Sequence, residues 1–283
     1  MHRTPDRDQR AIFLAAVCSQ TYAQYTNPNG SFVIPQGYSL VHAILAKSFS
    51  FAWEPFGFIL EAPDEIIIAF RGTSSANDWV SDLIASQKSF DCVEEPCLTH
   101  RGFTAIYSSA RDGIFSALSD LSSTKALTVT GHSLGAALAT LCAADVASNG
   151  TFSSFSLYTY GSPRVGDPAF VDSFSGKITD RHRFANLFDI VTYVPPTAYK
   201  PPKQEITYSY RHVPEHIPLS FQNGSFGLNH VISSYFTELA KLQPEYTQAL
   251  CTANPGFCPT SKEEPTLTAG KDRDRLEAVN SLR

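Results

Sequence analysis

The amino-acid sequence predicts an α/β fold, in which helices cover both faces of a mostly parallel central sheet. Two observations support this prediction. Apolar strand-like runs alternate along the chain with segments whose apolar residues recur at helical spacing, a pattern typical of strand and helix layers. In addition, residues 131–135 (GHSLG) lie between a strand-like run and an alanine-rich helical run, so a sharp turn must connect the two.

The elements in the first half of the chain follow from the spacing of apolar residues. Residues 8–26 carry apolar side chains near helical spacing and predict an amphipathic first helix. Residues 38–70 have the pattern of a hairpin that leads into a buried strand rich in branched residues. Residues 103–121 place their apolar side chains on one helical face, which predicts the helix before the turn.

The second half continues the alternation. Strands are expected at 126–130, 155–160 and 183–187, and each is followed by residues typical of a turn or a helix. Residues 205–213 predict an extended segment, and 230–242 predict a helix that follows Asn229.

Length and composition indicate one domain. A chain of 283 residues with 43% hydrophobic and 17% charged residues is ordinary for a globular α/β protein. We therefore expect a single domain over residues 1–260 and a flexible charged tail over 261–283, where apolar residues are sparse. The formal net charge is −5 and no long basic run is present, which argues against nucleic acid as a partner.

Residues 11–18 form the longest apolar run near the N-terminus. This run is too short to span a bilayer, and the acidic residues Asp6 and Asp8 before it are unusual in a signal peptide. No transmembrane segment is expected elsewhere. The sequence leaves open a cytosolic protein or a mature chain without its leader, and we favour the secreted chain.

The six cysteines indicate disulfides more than metal binding. Cys92 with Cys97, and Cys251 with Cys258, could each close a small loop in an oxidising compartment, and we favour both disulfides. The remaining two, Cys18 and Cys142, are expected to be free and buried in helices. No metal-binding spacing of cysteines or histidines occurs, so we expect no metal site and no cofactor.

Ser133 is the candidate nucleophile, because it occupies the sharp turn within residues 131–135. A strand, a tight turn and a helix would hold its hydroxyl at the edge of the sheet, and the flanking glycines allow the turn. A serine hydroxyl needs a histidine to take its proton and a carboxylate to orient that histidine.

Asp189 is the preferred carboxylate. It follows an apolar strand and precedes Pro195-Pro196, whereas Asp167, Asp172 and Asp180 lie in polar turns or helices and are expected to be surface charges or helix caps.

His230 is the preferred base among the three histidines that follow Asp189. It lies between a loop and a helix, whereas His212 and His216 flank a proline-containing segment and are expected to be structural or exposed. We expect His132 to orient the turn, since it points away from the hydroxyl of the next residue.

Two groups are candidates to stabilise an oxyanion. One is the backbone N–H of Leu134, directly after the serine, and the other is Thr73, whose loop follows the buried strand and contains Gly72.

Residues 10–242 resemble the class 3 lipases, the family of the filamentous-fungal triacylglycerol lipases. The resemblance depends on several motifs in the family's order: AFRGT (69–73), DW (78–79), HRGF (100–103), GHSLGAALA (131–139), YGSPRVG (160–166), DIV (189–191) with PP (195–196), and NH (229–230). Asn229 differs from the aspartate that fungal members often have at that position.

This resemblance implies an α/β-hydrolase fold with Ser133, Asp189 and His230 as the catalytic triad and Thr73 and Leu134 as the oxyanion hole. It also implies a short helical lid over residues 74–86, with lid residues Ser75, Trp79, Val80 and Leu83. The expected activity is that of a lipase: hydrolysis of acylglycerol esters through an acyl-enzyme, at a transient lipid–water interface. Phospholipase A1, short-chain esterase and feruloyl esterase activities remain open alternatives, and so does a non-catalytic lipid-binding module.

Overall fold

The computed structural model of the protein describes residues 7–73, 85–201 and 205–260. The helices in these ranges are α1 (Arg7–Thr26), α2 (Arg101–Ser119), α3 (Leu134–Asn149), α4 (Pro168–Lys177), α5 (Phe226–His230), α6 (Ile232–Ala240) and α7 (Pro244–Ala253), with a 3₁₀ helix at Ile190–Tyr193. The strands are β1 (Ser39–Lys47), β2 (Trp53–Glu61), β3 (Glu65–Phe70), β4 (Gln87–Ser89), β5 (Leu98–His100), β6 (Ala126–His132), β7 (Phe155–Tyr160), β8 (Asp180–Asn186), β9 (Ala198–Tyr199), β10 (Tyr208–Ser209) and β11 (His216–Leu219).

A seven-stranded sheet forms the centre, with the strand order β1-β2-β3-β6-β7-β8-β11. Strands β3, β6, β7, β8 and β11 run parallel, while β1 and β2 form an antiparallel hairpin against β3. Two further pairs, β4 with β5 and β9 with β10, lie outside this sheet. The mostly parallel sheet predicted from the sequence is confirmed.

Helices cover the sheet on both faces, as the sequence predicts. Alternate residues of β3 show the two faces, because successive side chains of a strand point in opposite directions. Ile66 and Ile68 pack with apolar residues of α2 and α3, whereas Ile67 and Ala69 pack with those of α1 and α6. The buried apolar residues thus form two cores that the sheet separates.

The first helix is more enclosed than predicted. All eight side chains of residues 11–18 in α1 are buried, because the helix lies between the sheet on one side and α6 and α7 on the other. The prediction of an amphipathic helix is therefore wrong for this segment. No helix in the part of the chain that the structure describes is long and apolar enough to span a membrane.

The C-terminal segments differ from the predictions in detail. The helix expected over 230–242 is α6, which begins at Ile232, and a separate short helix, α5, ends at His230 just before it. Directly after the proline-containing segment, His216–Leu219 form β11, which pairs with β8 at the end of the sheet. Pro218 is tolerated there because a proline can occupy an edge strand without removing a hydrogen bond of the sheet.

Only one of the two expected disulfides is present in the described residues. Cys251 and Cys258 are bonded, across the end of α7. Cys92 and Cys97 are free thiols, so the second prediction is wrong. Their environments differ: Cys92 lies near Asp145 and Arg111, whereas Cys97 is buried in the core near other acidic residues, and burial raises the pKa of both thiols. Cys18 and Cys142 are free and buried, as expected.

A buried carboxylate joins α2 to α3. Asp145 is fully buried and accepts hydrogen bonds from the Tyr107 hydroxyl (2.7 Å), from Arg111 Nε and Nη2 (2.6 and 3.0 Å) and from Asn149 Nδ2 (2.8 Å). The same Asn149 amide donates to the carbonyl of Cys92 and so ties the loop between β4 and β5 to α3. A buried charge is tolerable only with such partners.

We expect Arg111→Ala to lower the free energy of unfolding by about 3 kcal/mol, because it removes the cationic partner of a buried carboxylate. Urea denaturation measures this loss. The control is Arg7→Ala, which removes an exposed ion pair with Asp8 and should cost under about 1 kcal/mol. Equal losses in the two variants would contradict the role given to Asp145.

Candidate active site

Ser133 occupies a sharp turn between β6 and α3. Its backbone has φ 61° and ψ −129°, a strained conformation for a residue with a side chain. Both flanking glycines are required by close contacts. A Cβ on Gly131 would lie 2.2 Å from the Gly135 carbonyl oxygen, and a Cβ on Gly135 would lie 2.3 Å from the Phe70 carbonyl oxygen. The turn predicted from the sequence is present, and Ser133 is held at its apex.

Asp189 lies just beyond the carboxyl end of β8 and is fully buried. Its Oδ1 accepts the backbone N–H of Val191 (3.0 Å) at the start of the 3₁₀ helix. Its Oδ2 accepts the Tyr235 hydroxyl (2.7 Å) and Nδ1–H of His230 (2.7 Å). These three donors compensate for the burial of the carboxylate and fix its orientation.

His230 is the last residue of α5 and is buried. Its hydrogen bond to Asp189 places the proton of the neutral ring on Nδ1, so Nε2 is the nitrogen that can accept a proton. The ring packs against Gly161, where a Cβ would lie 3.1 Å from it. Tyr160, the residue before Gly161, accepts the backbone N–H of Ser133 at its carbonyl oxygen (3.0 Å). The end of β7 therefore brings the serine turn and the His230 ring to the same edge of the sheet.

Two buried atoms at this edge have unused hydrogen-bonding capacity. Within the described ranges of the chain, neither Oγ of Ser133 nor Nε2 of His230 has a hydrogen-bond partner. Buried polar atoms are nearly always paired, and the exceptions often have a chemical role. A hydroxyl and a basic nitrogen of this kind are suited to proton transfer.

The candidate oxyanion donors lie beside Ser133. Leu134 is the first residue of α3, and helix geometry gives its N–H no acceptor within the helix. Gly72, in the loop after β3, lies so close that a Cβ there would be 2.7 Å from Cβ of Ser133. Thr73 follows directly, so the loop predicted to carry the second donor contacts the serine turn. The predicted lid residues Ser75, Trp79, Val80 and Leu83 lie outside the described residues.

A chain of hydrogen bonds that sequence analysis missed links this loop to the catalytic candidates. The N–H of Gly72 donates to the Tyr22 hydroxyl (3.1 Å), which donates to Nδ1 of His132 (2.7 Å). Nε2–H of His132 in turn donates to the carbonyl of His230 (2.6 Å). Burial lowers the pKa of His132 well below its usual value, so its ring is neutral, as these directions require. The expectation that His132 orients the turn fits these contacts.

Tyr235, on α6, is a second site residue that the sequence did not identify. Besides its bond to Asp189, its hydroxyl accepts the N–H of Asn186 (3.0 Å) and so joins β8 to α6. Both tyrosines lie at helical spacing among apolar residues, and only that spacing was visible in the sequence. A buried tyrosine must find a partner for its hydroxyl, but the sequence does not tell which partner.

The other carboxylates have separate roles. Asp167 caps α4 by accepting the N–H of Phe170 (2.8 Å), Asp172 pairs with Arg211, and Asp180 is exposed beside His182. These are the surface and capping roles expected from the sequence.

The alternative histidines also lie elsewhere. His212 donates through Nε2–H to the carbonyl of Thr192 (2.7 Å), and His216 lies in β11. The described residues contain no group of three or more histidine, cysteine or acidic side chains that could hold a metal ion.

Comparison with known families gives a match to the family described as lipase (class 3) over residues 67–199, which include β3, the serine turn and Asp189. Residues 67–199 are therefore similar to the class 3 lipases. Within this match lie the loop of Thr73, both glycines of the turn and the cis peptide bond between Val194 and Pro195.

Curated relatives from fungi and plants are similar to parts of this chain. A lipase of Rhizomucor miehei is 36% identical over 140 residues, and the secreted mono- and diacylglycerol lipase 1 of Fusarium solani is 34% identical over 154 residues. Phospholipase A1-II 1 of Oryza sativa subsp. indica is 32% identical over 200 residues. These alignments include 47%, 53% and 57% of this chain and only 38%, 43% and 51% of the respective relatives, so the similarity spans about half of each protein.

Solved structures of fungal lipases have a similar fold. The Rhizomucor miehei lipase in complex with its propeptide superimposes with a TM-score of 0.60 at 26% identity, covering 69% of this chain and 65% of that one. A triacylglycerol lipase whose catalytic centre is described as a serine protease triad has a TM-score of 0.58 at 25% identity, covering 69% of this chain and 76% of that one.

His212 gives the fold a measurable dependence on pH. Burial, assisted by the positive charge of Arg183, lowers the pKa of His212 from 6.5 to about 3. Below about pH 6.5 the unfolded chain therefore binds a proton that the folded chain does not, and stability falls as the pH decreases. We expect the loss between pH 6.5 and 5.0 to be smaller in His212→Asn than in the unchanged protein, by up to about 1.6 kcal/mol.

Urea denaturation at the two pH values measures this difference. A third series at pH 8, where His212 is neutral in both states, gives the effect of the substitution that does not depend on protonation. Equal acid sensitivity of the two proteins would contradict the neutral, buried state of His212.

Proposed function

We propose that the protein is a serine ester hydrolase that cleaves acylglycerol esters, with Ser133 as nucleophile, His230 as general base and Asp189 as the group that orients it. The observation that carries this proposal is the 2.7 Å hydrogen bond from His230 to buried Asp189, next to a strained serine. In the described residues, the two atoms that would exchange the proton, Oγ of Ser133 and Nε2 of His230, are both buried and unpaired.

The proposed reaction has two stages. Nε2 of His230 takes the proton of Ser133 as its Oγ attacks the ester carbonyl carbon, giving a tetrahedral oxyanion. The oxyanion would accept hydrogen bonds from the N–H groups of Leu134 and Thr73. The ester C–O bond then breaks, the alcohol leaves with the proton from His230, and water releases the acyl group by the same steps.

The hydrogen bonds around His230 suit this cycle. When His230 takes up a proton, the Asp189 carboxylate stabilises the positive ring that forms. The bond from His132 to the carbonyl of His230 holds the backbone of α5, and Tyr22 joins His132 to the loop of Thr73. The proposed base and the proposed oxyanion donor are therefore held by one buried network.

The relatives support acylglycerols as the substrate class, since two of them are named lipases. A phospholipase A1 is the second candidate, because the rice relative with that name aligns over the longest of the three segments. The secreted relative and the Cys251–Cys258 disulfide support an extracellular location. A non-catalytic lipid-binding module is less well supported, since all three proposed catalytic side chains are present.

We expect Ser133→Ala to lower kcat for p-nitrophenyl butyrate by roughly 10⁶-fold, as removal of the nucleophile does in other serine triads. Asp189→Asn should lower kcat by roughly 10⁴-fold, because the imidazole loses the acceptor that fixes its tautomer. The control is Ser119→Ala, on the exposed end of α2, which should keep the activity of the unchanged protein.

A serine-reactive organophosphonate gives a second measurement. Mass spectrometry should find one adduct, located on Ser133, and none in Ser133→Ala. Ester hydrolysis that survives in Ser133→Ala would refute the assignment of the nucleophile.

The length of the acyl chain distinguishes the substrate classes. For a lipase we expect kcat/KM for p-nitrophenyl esters to rise roughly fourfold for each added methylene until the acyl site is full, since each buried CH₂ contributes about 0.8 kcal/mol. A maximum at acetate would contradict the lipase proposal and favour a short-chain esterase. Faster release of fatty acid from phosphatidylcholine than from triacylglycerol would favour a phospholipase A1.

A further inference from the structure

The turn of the β1–β2 hairpin exposes an unusual set of apolar side chains. We call residues 45–53 the hairpin tip. Leu45, Phe51 and Trp53 are 51%, 76% and 58% exposed, and Phe49 is 44% exposed. Single exposed apolar residues are normal, but a cluster of four within nine residues indicates an interaction surface.

Two of these side chains share one face of the hairpin with a cation. Lys47 pairs directly with Trp53 across the two strands, and its ammonium group lies 5.5 Å from the centre of the indole ring. Leu45 lies on the same face, because the intervening Ala46 points into the core. The exposed face thus combines a tryptophan, a leucine and a lysine, while the opposite face is buried.

The tip is held in a strained shape that keeps Phe51 in solvent. Phe51 has φ 61°, which is rare for an aromatic residue and indicates a functional constraint. The backbone of the turn is hydrogen-bonded within itself. The N–H of Phe51 donates to the carbonyl of Ser48, and the N–H of Ser48 donates to the carbonyl of Ala52, both at 2.9 Å. Transfer from water to an apolar phase costs less free energy for a turn whose own backbone groups are paired.

The tip lies at the same edge of the sheet as Ser133. Trp53 begins β2, and β2 runs antiparallel to β3, so this end of β2 lies beside the carboxyl end of β3. Arg71 fixes this arrangement: its N–H donates to the Phe56 carbonyl (2.9 Å), its Nε to the Pro55 carbonyl (2.6 Å), and its Nη1 to the Gly72 carbonyl (2.8 Å). The residues next to Trp53 are therefore tied to the loop that contacts Ser133.

Charge also distinguishes the tip. The whole chain has a formal net charge of −5, yet residues 39–53 contain one lysine and no aspartate or glutamate. The neighbouring start of α2, where Gly102 lies close to Phe49, adds exposed Arg101. The tip is therefore a locally positive, aromatic projection on an acidic protein.

We propose that the hairpin tip is an anchor that inserts into a lipid surface and turns the edge of the sheet that carries Ser133 toward that surface. Tryptophan and lysine together are typical of segments that lie at a lipid–water boundary, where the ring contacts acyl chains and the ammonium group stays among phosphates. This inference rests on the proposed function, because a lipid surface is the source of acylglycerol esters. It assigns interfacial binding to residues outside the proposed lid.

Fluorescence of Trp53 tests the proposal directly. The chain has two tryptophans, so Trp79→Phe leaves Trp53 as the only tryptophan, and Ser133→Ala prevents hydrolysis of the vesicles. With vesicles of phosphatidylcholine containing some phosphatidylglycerol, we expect the emission to shift to shorter wavelength. Phosphatidylcholine brominated in its acyl chains should quench it. An unchanged spectrum in this background, in which the tip is intact, would overturn the proposal.

Substitutions at the hairpin tip measure how much its side chains contribute to the affinity for vesicles. In the same background, Phe51→Ser should weaken binding to the vesicles by about tenfold, and Leu45→Ser should weaken it by a smaller factor. The matched control is Leu40→Ser, which changes an exposed leucine of β1 at the opposite end of the hairpin and should leave binding within about twofold. Equal effects of Leu40→Ser and Phe51→Ser would overturn the proposal.

Soluble p-nitrophenyl butyrate separates this inference from the proposed function. With Ser133 intact, Phe51→Ser should hydrolyse it at the unchanged rate but lose activity on an emulsion of triacylglycerol. If the unchanged protein cleaves no ester, the function fails while vesicle binding still tests the anchor. If the tip instead mediates self-association, size-exclusion chromatography will show a dimer that Phe51→Ser abolishes, without vesicle binding, and the anchor is refuted.

Discussion

The close approach of α3 to β3 is the constraint on which the rest of the site depends. Gly131, in β6, has no room for a Cβ against the start of α3, and Gly135, in α3, has none against the end of β3. The helix can therefore begin in contact with both strands. The strain is then concentrated in Ser133, the one residue between strand and helix. Because β6 and α3 are both buried along most of their length, the surrounding core holds the serine in a conformation that it would not adopt alone.

Around this turn, polar groups are buried in connected sets. Asp189 is held by a backbone N–H, a tyrosine and a histidine, and His132 connects Tyr22 on α1 to the backbone of α5. When every buried polar group in such a network is hydrogen-bonded, one arrangement of the side chains is much more favourable than the alternatives, because any displacement leaves a buried group without a partner. The rigidity of the site thus comes from hydrogen bonds between layers that the sheet and its helices bring together.

The sequence predicts what local pattern determines. The alternation of strands and helices, the glycine-flanked turn and the positions of Asp189 and His230 relative to strands were all readable from it. Features that depend on a distant partner were not. The second face of α1 is buried by α6 and α7, the partners of Tyr22 and Tyr235 come from other layers, and the thiols of Cys92 and Cys97 have different neighbours despite their short separation. The predicted lid, the domain limits and the roles of the site residues stay predictions.

The position of α1 has a practical consequence for handling the protein. Gln20 donates to the carbonyls of Gly256 and Phe257, and Tyr22 reaches the loop beside Ser133, so this helix joins the C-terminal disulfide loop to the site. A truncated expression product that starts after Thr26 would lack the phenol that bridges Gly72 and His132, and it would expose an apolar groove along the sheet. Purification tags and fusion partners should therefore be attached ahead of Arg7, with α1 left intact.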